Sequence, residues 1–176
     1  MDALNRINSI CFTGHRYIRE DFDEVRFKKI VYASIIKGFD TFICGGALGF
    51  DTYAAEEILK MKKNFPHIKL HLYLPCNNQN SHWDLADRVK YNKIIRLADY
   101  VDMPDIPYYD GCMRARNYKM VDNSSVCFCY LNNDARSGTA QTVRYAFKQG
   151  LAVFNVSSDP ESVFLYIKEK YDSRHG

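Results

Sequence analysis

The length and composition of the chain indicate one globular domain. Its 176 residues match a single domain of ordinary size, and 47% hydrophobic with 26% charged residues excludes disordered and fibrous classes. The 24 Lys and Arg against 21 Asp and Glu leave a net charge of +3, too small an excess to indicate nucleic-acid binding by itself. No apolar run reaches the roughly 18 residues of a membrane helix, and Asp2 and Arg6 interrupt the place of a secretory signal. We therefore expect a soluble cytoplasmic protein with no membrane partner.

Apolar strands and helical segments alternate along the whole chain. The predicted strands span 7–13, 41–44, 68–74, 100–103, 125–131 and 151–156, and the predicted helices span 22–37, 51–62, 84–98, 112–122, 139–149 and 160–170. Nearly continuous apolar strands joined by long helices are typical of a parallel sheet covered on both faces. The sequence therefore predicts a single-domain, Rossmann-like, doubly wound α/β fold, in which ligands bind beyond the carboxyl ends of the strands.

The six cysteines, at positions 11, 44, 76, 112, 127 and 129, predict neither a metal site nor a disulfide framework. None has the C-x-x-C spacing of a zinc site, and no export signal places the chain in an oxidising compartment. Free cysteine commonly behaves as a small buried hydrophobe. We expect reduced structural thiols, with Cys112 kept as a candidate site residue, and no metal or required cofactor.

A glycine-rich turn follows the second predicted strand, in the sequence Cys44-Gly45-Gly46-Ala47-Leu48-Gly49-Phe50-Asp51. Glycines let backbone amides approach an anion, and the following helix start adds a partial positive charge. Gly45, Gly46, Gly49 and Asp51 are therefore candidates for a phosphate-binding loop. The alternative is a tight strand-to-helix turn capped by Asp51.

A second strand-to-helix junction, at 134–139, has the same character, with Ser137, Gly138 and Thr139 at the predicted helix start. By itself it indicates no more than a helix cap. Two such junctions in one small sheet can converge on one crevice, however, and could hold a diphosphate between them.

The first predicted strand ends in Gly14-His15-Arg16. These side chains could contact phosphate or ribose oxygens, or could be solvated in a surface turn. His15 has no partner Ser or Cys at a recognisable spacing, so the sequence identifies no catalytic residue.

The helix predicted at 112–122 carries polar groups inside an apolar stripe. Arg116 and Asn117 share the helical spacing of Met113, Met120 and Val121. Buried Arg and Asn require partners, either another side chain or a bound ligand. Arg114 falls outside the stripe and is predicted to be solvated. The single tryptophan, Trp83, could stack on a base but is predicted to pack against the core.

Four segments together resemble the SLOG superfamily, and specifically its YpsA-like branch. They are 12–16 (FTGHR), the run GGALGFDTYAAE, the run MRARNYKMVD and the run SGTAQTVRYAFKQG. The resemblance implies a Rossmann-like domain that binds nucleotides or nucleotide-derived ligands, and it suggests self-association. The superfamily also contains the LOG phosphoribohydrolases, which cleave the N-glycosidic bond of nucleoside monophosphates, and DprA, which acts on single-stranded DNA.

The likeness to the LOG enzymes is partial. Arg116 matches the arginine of their Met-x-x-Arg-Lys helix, but Asn117 replaces the lysine, and Thr142 stands where their glycine-rich loop has glutamate. N-glycoside cleavage passes through a cationic sugar that a carboxylate stabilises. We therefore expect a domain that binds or senses a nucleotide-type ligand, such as an NAD- or ADP-ribose-like molecule. A LOG-type hydrolase and a DprA-like binder of single-stranded DNA are the alternatives.

Overall fold

The computed structural model describes residues 6–132 and 134–157, which form one six-stranded sheet and five α-helices. The predicted helix 160–170 lies outside the described residues. The strands are β1 (Ser9–Gly14), β2 (Thr41–Cys44), β3 (Lys69–Tyr73), β4 (Tyr100–Asp102), β5 (Val126–Tyr130) and β6 (Ala152–Asn155). The helices are α1 (Glu24–Ile36), α2 (Phe50–Lys62), α3 (Leu85–Leu97), α4 (Cys112–Asp122) and α5 (Gly138–Lys148).

Every strand pairs with its neighbours in parallel, in the order β4-β3-β2-β1-β5-β6. The chain therefore winds outward from β1 in one direction as far as β4, returns through α4, and continues on the other side of β1 with β5. This reversal creates a topological switch point at the carboxyl ends of β1 and β5, where the connections diverge and leave a crevice. The predicted doubly wound fold is confirmed.

The two faces of the sheet are covered by different helices. Alternate residues of β1 illustrate the division, since Phe12 packs in the cluster beneath α1, α2 and α3, and Cys11 packs in the cluster beneath α4 and α5. Successive residues of a strand point to opposite faces of the sheet. Because helices cover both faces here, both sides of a strand need apolar residues. All six cysteines are buried and free of disulfides, as predicted.

The buried face of α1 is not the one that its apolar spacing alone indicates. Phe22, Val25, Ile30, Ala33 and Ile36 fall near helical spacing, whereas the buried residues are Phe27, Val31, Ser34 and Ile35. Val25 and Ile36 are each 63% exposed. The helix carries apolar residues on two faces, and only packing against the sheet selects between them. Likewise, Ile7 is not in the first strand but in a short 3-10 turn, Arg6–Asn8, and is exposed.

Three helices begin with a side-chain cap. Asp23, Asp84 and Ser137 each accept a hydrogen bond from the backbone amide three residues later, at the starts of α1, α3 and α5 respectively. Gly49 and Gly111 precede α2 and α4 without such a bond. Within the described ranges, no helix is long and apolar enough to cross a membrane, and no cluster of three potential metal ligands occurs.

Candidate functional site

A cleft of about 360 Å³ lies at the switch point. It is bounded by the segment that follows β1, by the first turns of α2, α4 and α5, and by the loop between β2 and α2. Its lining residues are Thr13, Gly14, His15, Arg16, Ala47, Asp51, Met113, Arg116, Asn117, Ser137, Gly138 and Thr139. Nine of the twelve residues predicted for a binding site therefore meet around one cavity, although they come from four separate parts of the sequence.

The remaining three predicted residues, Gly45, Gly46 and Gly49, lie behind the wall of the cleft. A Cβ on Gly49 would come within 2.3 Å of the Arg16 backbone, so this glycine permits two loops to touch. Gly46 has φ of +69° and faces Leu74, 2.6 Å from the position of its missing Cβ. Gly46 and Gly49 therefore allow the loops behind the cleft to approach each other closely and to adopt positive φ values.

The loops after β1 and β2 are locked together at the first turn of α2. The amide of Phe50 donates to the carbonyl of His15 at 3.1 Å. On the other side, the Phe50 ring fills the space beside Gly14, whose missing Cβ would lie 2.5 Å from the ring. This contact fixes His15 and Arg16 at the rim of the cleft.

Asp51 and Arg116 form the floor of the cleft and are almost completely buried. The missing Cβ of Gly45 would lie 2.8 Å from the Asp51 carboxylate and 2.5 Å from the Arg116 guanidinium, so both groups converge on this glycine. Arg116 also donates to the carbonyl of Gly45 and, at 2.7 Å, to the side-chain oxygen of Asn117. Arg116 therefore has partners within the protein, as one of the two interpretations of a buried arginine requires.

The Asp51 carboxylate accepts hydrogen bonds from backbone amides of the glycine-rich turn. The amide of Ala47 donates to it at 3.4 Å, and the Gly45 amide also contributes a hydrogen bond. Burial raises the pKa of Asp51, and the Arg116 charge with these amides offsets the effect only in part. The turn is therefore filled by the protein's own carboxylate, which is not a helix cap because α2 begins after Gly49.

The first turn of α5 offers open donors on the opposite wall. Ser137 caps the helix by accepting from the amide of Ala140 at 3.1 Å. In the part of the chain that the structure describes, the amides of Gly138 and Thr139 meet no acceptor, and a Cβ on Gly138 would meet no atom within 4 Å. Free amides at a helix start, with the positive end of the helix dipole, suit an anion.

His15 is held in its neutral form beside that wall. The amide of Asn132 donates to its Nε2 at 2.8 Å, so the proton of the neutral ring lies on Nδ1. Burial lowers the pKa of His15 despite the opposing influence of Asp134. Arg16, next to it, is exposed at the rim of the cleft. The cleft thus combines one exposed cation, Arg16, and the free amides at the start of α5 with one buried carboxylate, Asp51.

Four other residues that the sequence pattern singled out have a clear place in the structure: Trp83, Arg114, Cys112 and Thr142. Trp83 packs edge-on against Tyr91, with ring centroids 5.2 Å apart, as the core prediction requires. Arg114 is exposed. Cys112 is buried at the start of α4 but does not line the cleft. Thr142 is buried in α5, where its hydroxyl donates to the carbonyl of Gly138 at 2.8 Å.

Thr13, Ala47 and Met113 line the cleft but were not predicted as site residues. Met113 was assigned to the buried stripe of its helix. Thr13 and Ala47 each adjoin a predicted glycine, which was the available signal.

The fold and the cleft together define a class: a doubly wound α/β domain with a polar cleft at the switch point. Within that class, the YpsA family model, described as the YspA SLOG family, matches residues 22–156. The chain belongs to this SLOG family.

The proteins that are similar in sequence to this chain include UPF0398 proteins. One from Halalkalibacterium halodurans is 30% identical over 138 residues, which cover 77% of this chain and 70% of the relative. One from Staphylococcus epidermidis is 26% identical over 126 residues, covering 66% of this chain and 65% of the relative.

Two solved structures share the fold. DNA processing protein A (DprA) from Streptococcus pneumoniae superimposes with a TM-score of 0.67 at 15% identity, covering 94% of this chain and 56% of that chain. DprA from Helicobacter pylori, described by its single-stranded DNA binding mode, gives a TM-score of 0.66 at 19% identity, covering 92% and 72%. At these identities the likeness concerns the fold alone.

Proposed function

We propose that this domain binds a nucleotide or nucleotide-derived ligand in the cleft at the switch point, with a phosphate at the first turn of α5. The observation that carries the proposal is the pair of open amides at Gly138 and Thr139, which face the same 360 Å³ cavity as Arg16. Membership of a SLOG family supports the nucleotide class of ligand.

The two sides of the cleft suit different parts of such a ligand. The first turn of α5, with Arg16, attracts negative charge. On the floor, the Asp51 carboxylate would repel a phosphate but would accept a hydrogen bond from a sugar hydroxyl. A ligand with phosphate at one end and ribose at the other therefore matches the cleft better than an isolated polyanion does. This placement makes α5, rather than the glycine-rich turn at 45–49, the main phosphate contact.

The test uses calorimetric titration with ADP-ribose, ADP and AMP on wild type and two pairs of variants. Gly138→Glu puts a carboxylate at the open helix start, where an added Cβ meets no atom within 4 Å, and Gly138→Ala is its matched control. Arg16→Ala removes the cation at the rim, and Arg114→Ala removes an exposed arginine outside the cleft. A ligand present at 100 times its Kd should stabilise wild type by about 2.7 kcal/mol.

We expect at least one nucleotide to bind wild type, Gly138→Ala and Arg114→Ala alike. Gly138→Glu should abolish that binding, and Arg16→Ala should weaken it about tenfold or more, in line with the loss of a charge-assisted hydrogen bond. Equal affinity in Gly138→Glu and Gly138→Ala would overturn the proposed phosphate position. Failure of all three nucleotides, with tight binding of a single-stranded oligonucleotide instead, would favour the DNA-binding alternative.

A second candidate function is cleavage of an N-glycosidic bond, as in the LOG enzymes. Asp51 favours it, because a buried carboxylate with a raised pKa in a cleft is a common arrangement for acid–base chemistry. Thr142 carries no carboxylate, and its hydroxyl donates a hydrogen bond within α5. Among the described residues that line the cleft, Asp51 is the acidic one. Release of free base from a nucleoside monophosphate by wild type, lost in a folded Asp51→Asn variant, would establish this activity.

A further inference from the structure

A second cavity, of about 520 Å³, lies between α2 and α3. Its apolar lining comes from Leu59, Ile94 and Leu97, and its charged lining comes from four lysines and one acidic residue, Glu56. Both helices end here, so the groove is at the opposite end of α2 from Asp51 and has no residue in common with the switch-point cleft. It is a separate surface.

The exposed side of α3 extends this apolar surface. Leu85, Val89 and Leu97 are 75%, 59% and 45% exposed, and they recur at intervals of four and eight residues along the helix. Side chains four residues apart are neighbours on a helix surface, so positions 85, 89, 93 and 97 follow one row, in which Lys93 stands between Val89 and Leu97. An amphipathic helix normally turns such a row toward its own core, where α3 instead buries Tyr91 and Ile94.

Positive charge borders the apolar row. Within α3, four exposed basic side chains accompany a single acidic residue, Asp87; the four are Arg88, Lys90, Lys93 and Arg96. Across the groove, Lys60 is paired with Glu57 and Lys62 with Asp99. Among the described residues, Lys63 and Lys93 contact no carboxylate.

Stabilisation of the helix termini explains only part of this charge. Lys60, Lys62 and Lys63 at the end of α2 interact favourably with its negative dipole end. That effect does not reach Arg88 or Lys90 in the first half of α3, and it does not account for three exposed aliphatic side chains in one row. The combination is typical of a surface that receives an amphipathic helix.

We propose that the α2–α3 groove, together with the exposed row of α3, binds an acidic amphipathic helix of a partner protein. The apolar face of that helix would lie over Leu59, Val89 and Leu97, and its carboxylates would face Lys63 and Lys93. The 13 residues of α3 extend for about 20 Å, which is enough for three to four turns of a partner helix.

Other occupants fit less well. A second copy of this chain, packed through the same helix, would bring the four basic residues of one α3 against those of the other. A nucleic acid backbone would match the positive charge but would leave the row of Leu85, Val89 and Leu97 without a partner. The acidic amphipathic helix satisfies both the charge and the apolar area.

The test is an NMR titration of the full-length, 15N-labelled protein with a synthetic helical peptide. The peptide carries leucines along one face and glutamates on both flanks; one control peptide has serine for each leucine, and another has lysine for each glutamate. Lys93→Glu is the informative variant. Lys148→Glu, an equal charge reversal on an exposed lysine at the end of α5, is the matched control.

We expect saturable shifts confined to residues 59–63 and 85–97, with neither control peptide producing them. Lys93→Glu should weaken binding about tenfold, because it replaces an attraction by a repulsion within the contact, and Lys148→Glu should not. Leu97→Ser should weaken it as well while leaving nucleotide affinity unchanged. Absence of these shifts, equal binding of the serine peptide, preferential binding of a thymidine oligonucleotide at the same residues, or self-association through α3 would each overturn the proposal.

Discussion

At the scale of single residues, Gly45 is a position near the cleft that charged side chains constrain. Its carbonyl accepts a hydrogen bond from Arg116, and its missing Cβ would lie within 2.8 Å of both Arg116 and Asp51. The glycine is therefore present because two buried charged groups occupy the space of a side chain. This role differs from the flexible contact with an anion that glycine-rich turns usually indicate.

We predict that Gly45→Ala lowers the free energy of unfolding by about 1–3 kcal/mol, because an added methyl group must displace the buried side chains of Arg116 and Asp51. Gly138→Ala is the control, since nothing lies within 4 Å of a Cβ at that position. Urea denaturation of both variants measures the difference. Equal stability of the two variants would contradict the packing of Arg116 and Asp51 around Gly45.

His15 gives the stability of the protein a predictable dependence on pH. Because burial lowers its pKa in the folded protein, the unfolded chain takes up the proton first as the pH falls. The stabilisation is complete above about pH 6.5, the ordinary value for histidine, and is lost as the pH falls through the lower folded pKa. Protonation would also remove the acceptor that the Asn132 amide uses.

Replacing His15 by glutamine should therefore reduce the loss of stability between pH 7 and pH 5. Thermal unfolding across that range measures the effect. The control is His82→Gln, which changes an exposed histidine outside the cleft. A pH dependence in His15→Gln as steep as that of wild type would show that another group is responsible.

At the scale of secondary-structure elements, the caps of α3 and α5 allow the effect of helix capping to be distinguished from the proposed ligand binding. Asp84 and Ser137 each accept a hydrogen bond from the amide three residues later, at 2.9 and 3.1 Å. Only Ser137 lies at the switch-point cleft. The two caps are thus similar in structure and different in location.

We predict that Asp84→Ala and Ser137→Ala each destabilise the protein by about 1 kcal/mol, the usual contribution of an N-cap. Only Ser137→Ala should also weaken nucleotide binding, because it disturbs the first turn of α5. Chemical denaturation and calorimetric titration of the same two samples provide both measurements. An equal loss of nucleotide affinity in Asp84→Ala would indicate that the effect reports general stability instead.

The elements were largely predictable from the sequence because their apolar patterns are local. Ile68 to Leu74 alternates and stops at a proline, and the structure has a strand at Lys69–Tyr73. The face of α1 was not predictable in the same way, since Val25 and Phe27 are both apolar and only one is buried. The choice depends on contacts such as those of Phe27 with Phe12 of β1 and Phe50 of α2, which the sequence of one helix does not contain.

The arrangement of the cleft was predictable only in part, for a similar reason. Residues at the ends of parallel strands must lie at one edge of the sheet, so the convergence of His15, Asp51 and Ser137 follows from the fold. The approach of Asp51 and Arg116 to the same glycine does not, because it joins α2 to a helix 65 positions later in the chain. Asp51 accepts hydrogen bonds from the amides of the glycine-rich turn that the sequence had suggested for an anion.

At the scale of the whole molecule, the two surfaces lie at opposite ends of α2. The switch-point cleft contains Asp51 from its first turn, and the α2–α3 groove contains Lys60 and Lys62 from its last. One rigid helix therefore connects the proposed nucleotide site with the proposed partner surface. The fold that this protein has in common with DprA supplies the sheet and helices, while the side chains at each end determine what is bound.

The most direct measurement of the central claim is an NMR titration of the 15N-labelled protein with ADP-ribose. We predict the largest amide shifts at Gly138 and Thr139, with smaller ones at His15 and Arg16, because a phosphate accepts hydrogen bonds at the start of α5. If the shifts fall on Gly45 to Ala47 while Gly138 and Thr139 stay unchanged, or if no amide around the cleft responds, the account is contradicted.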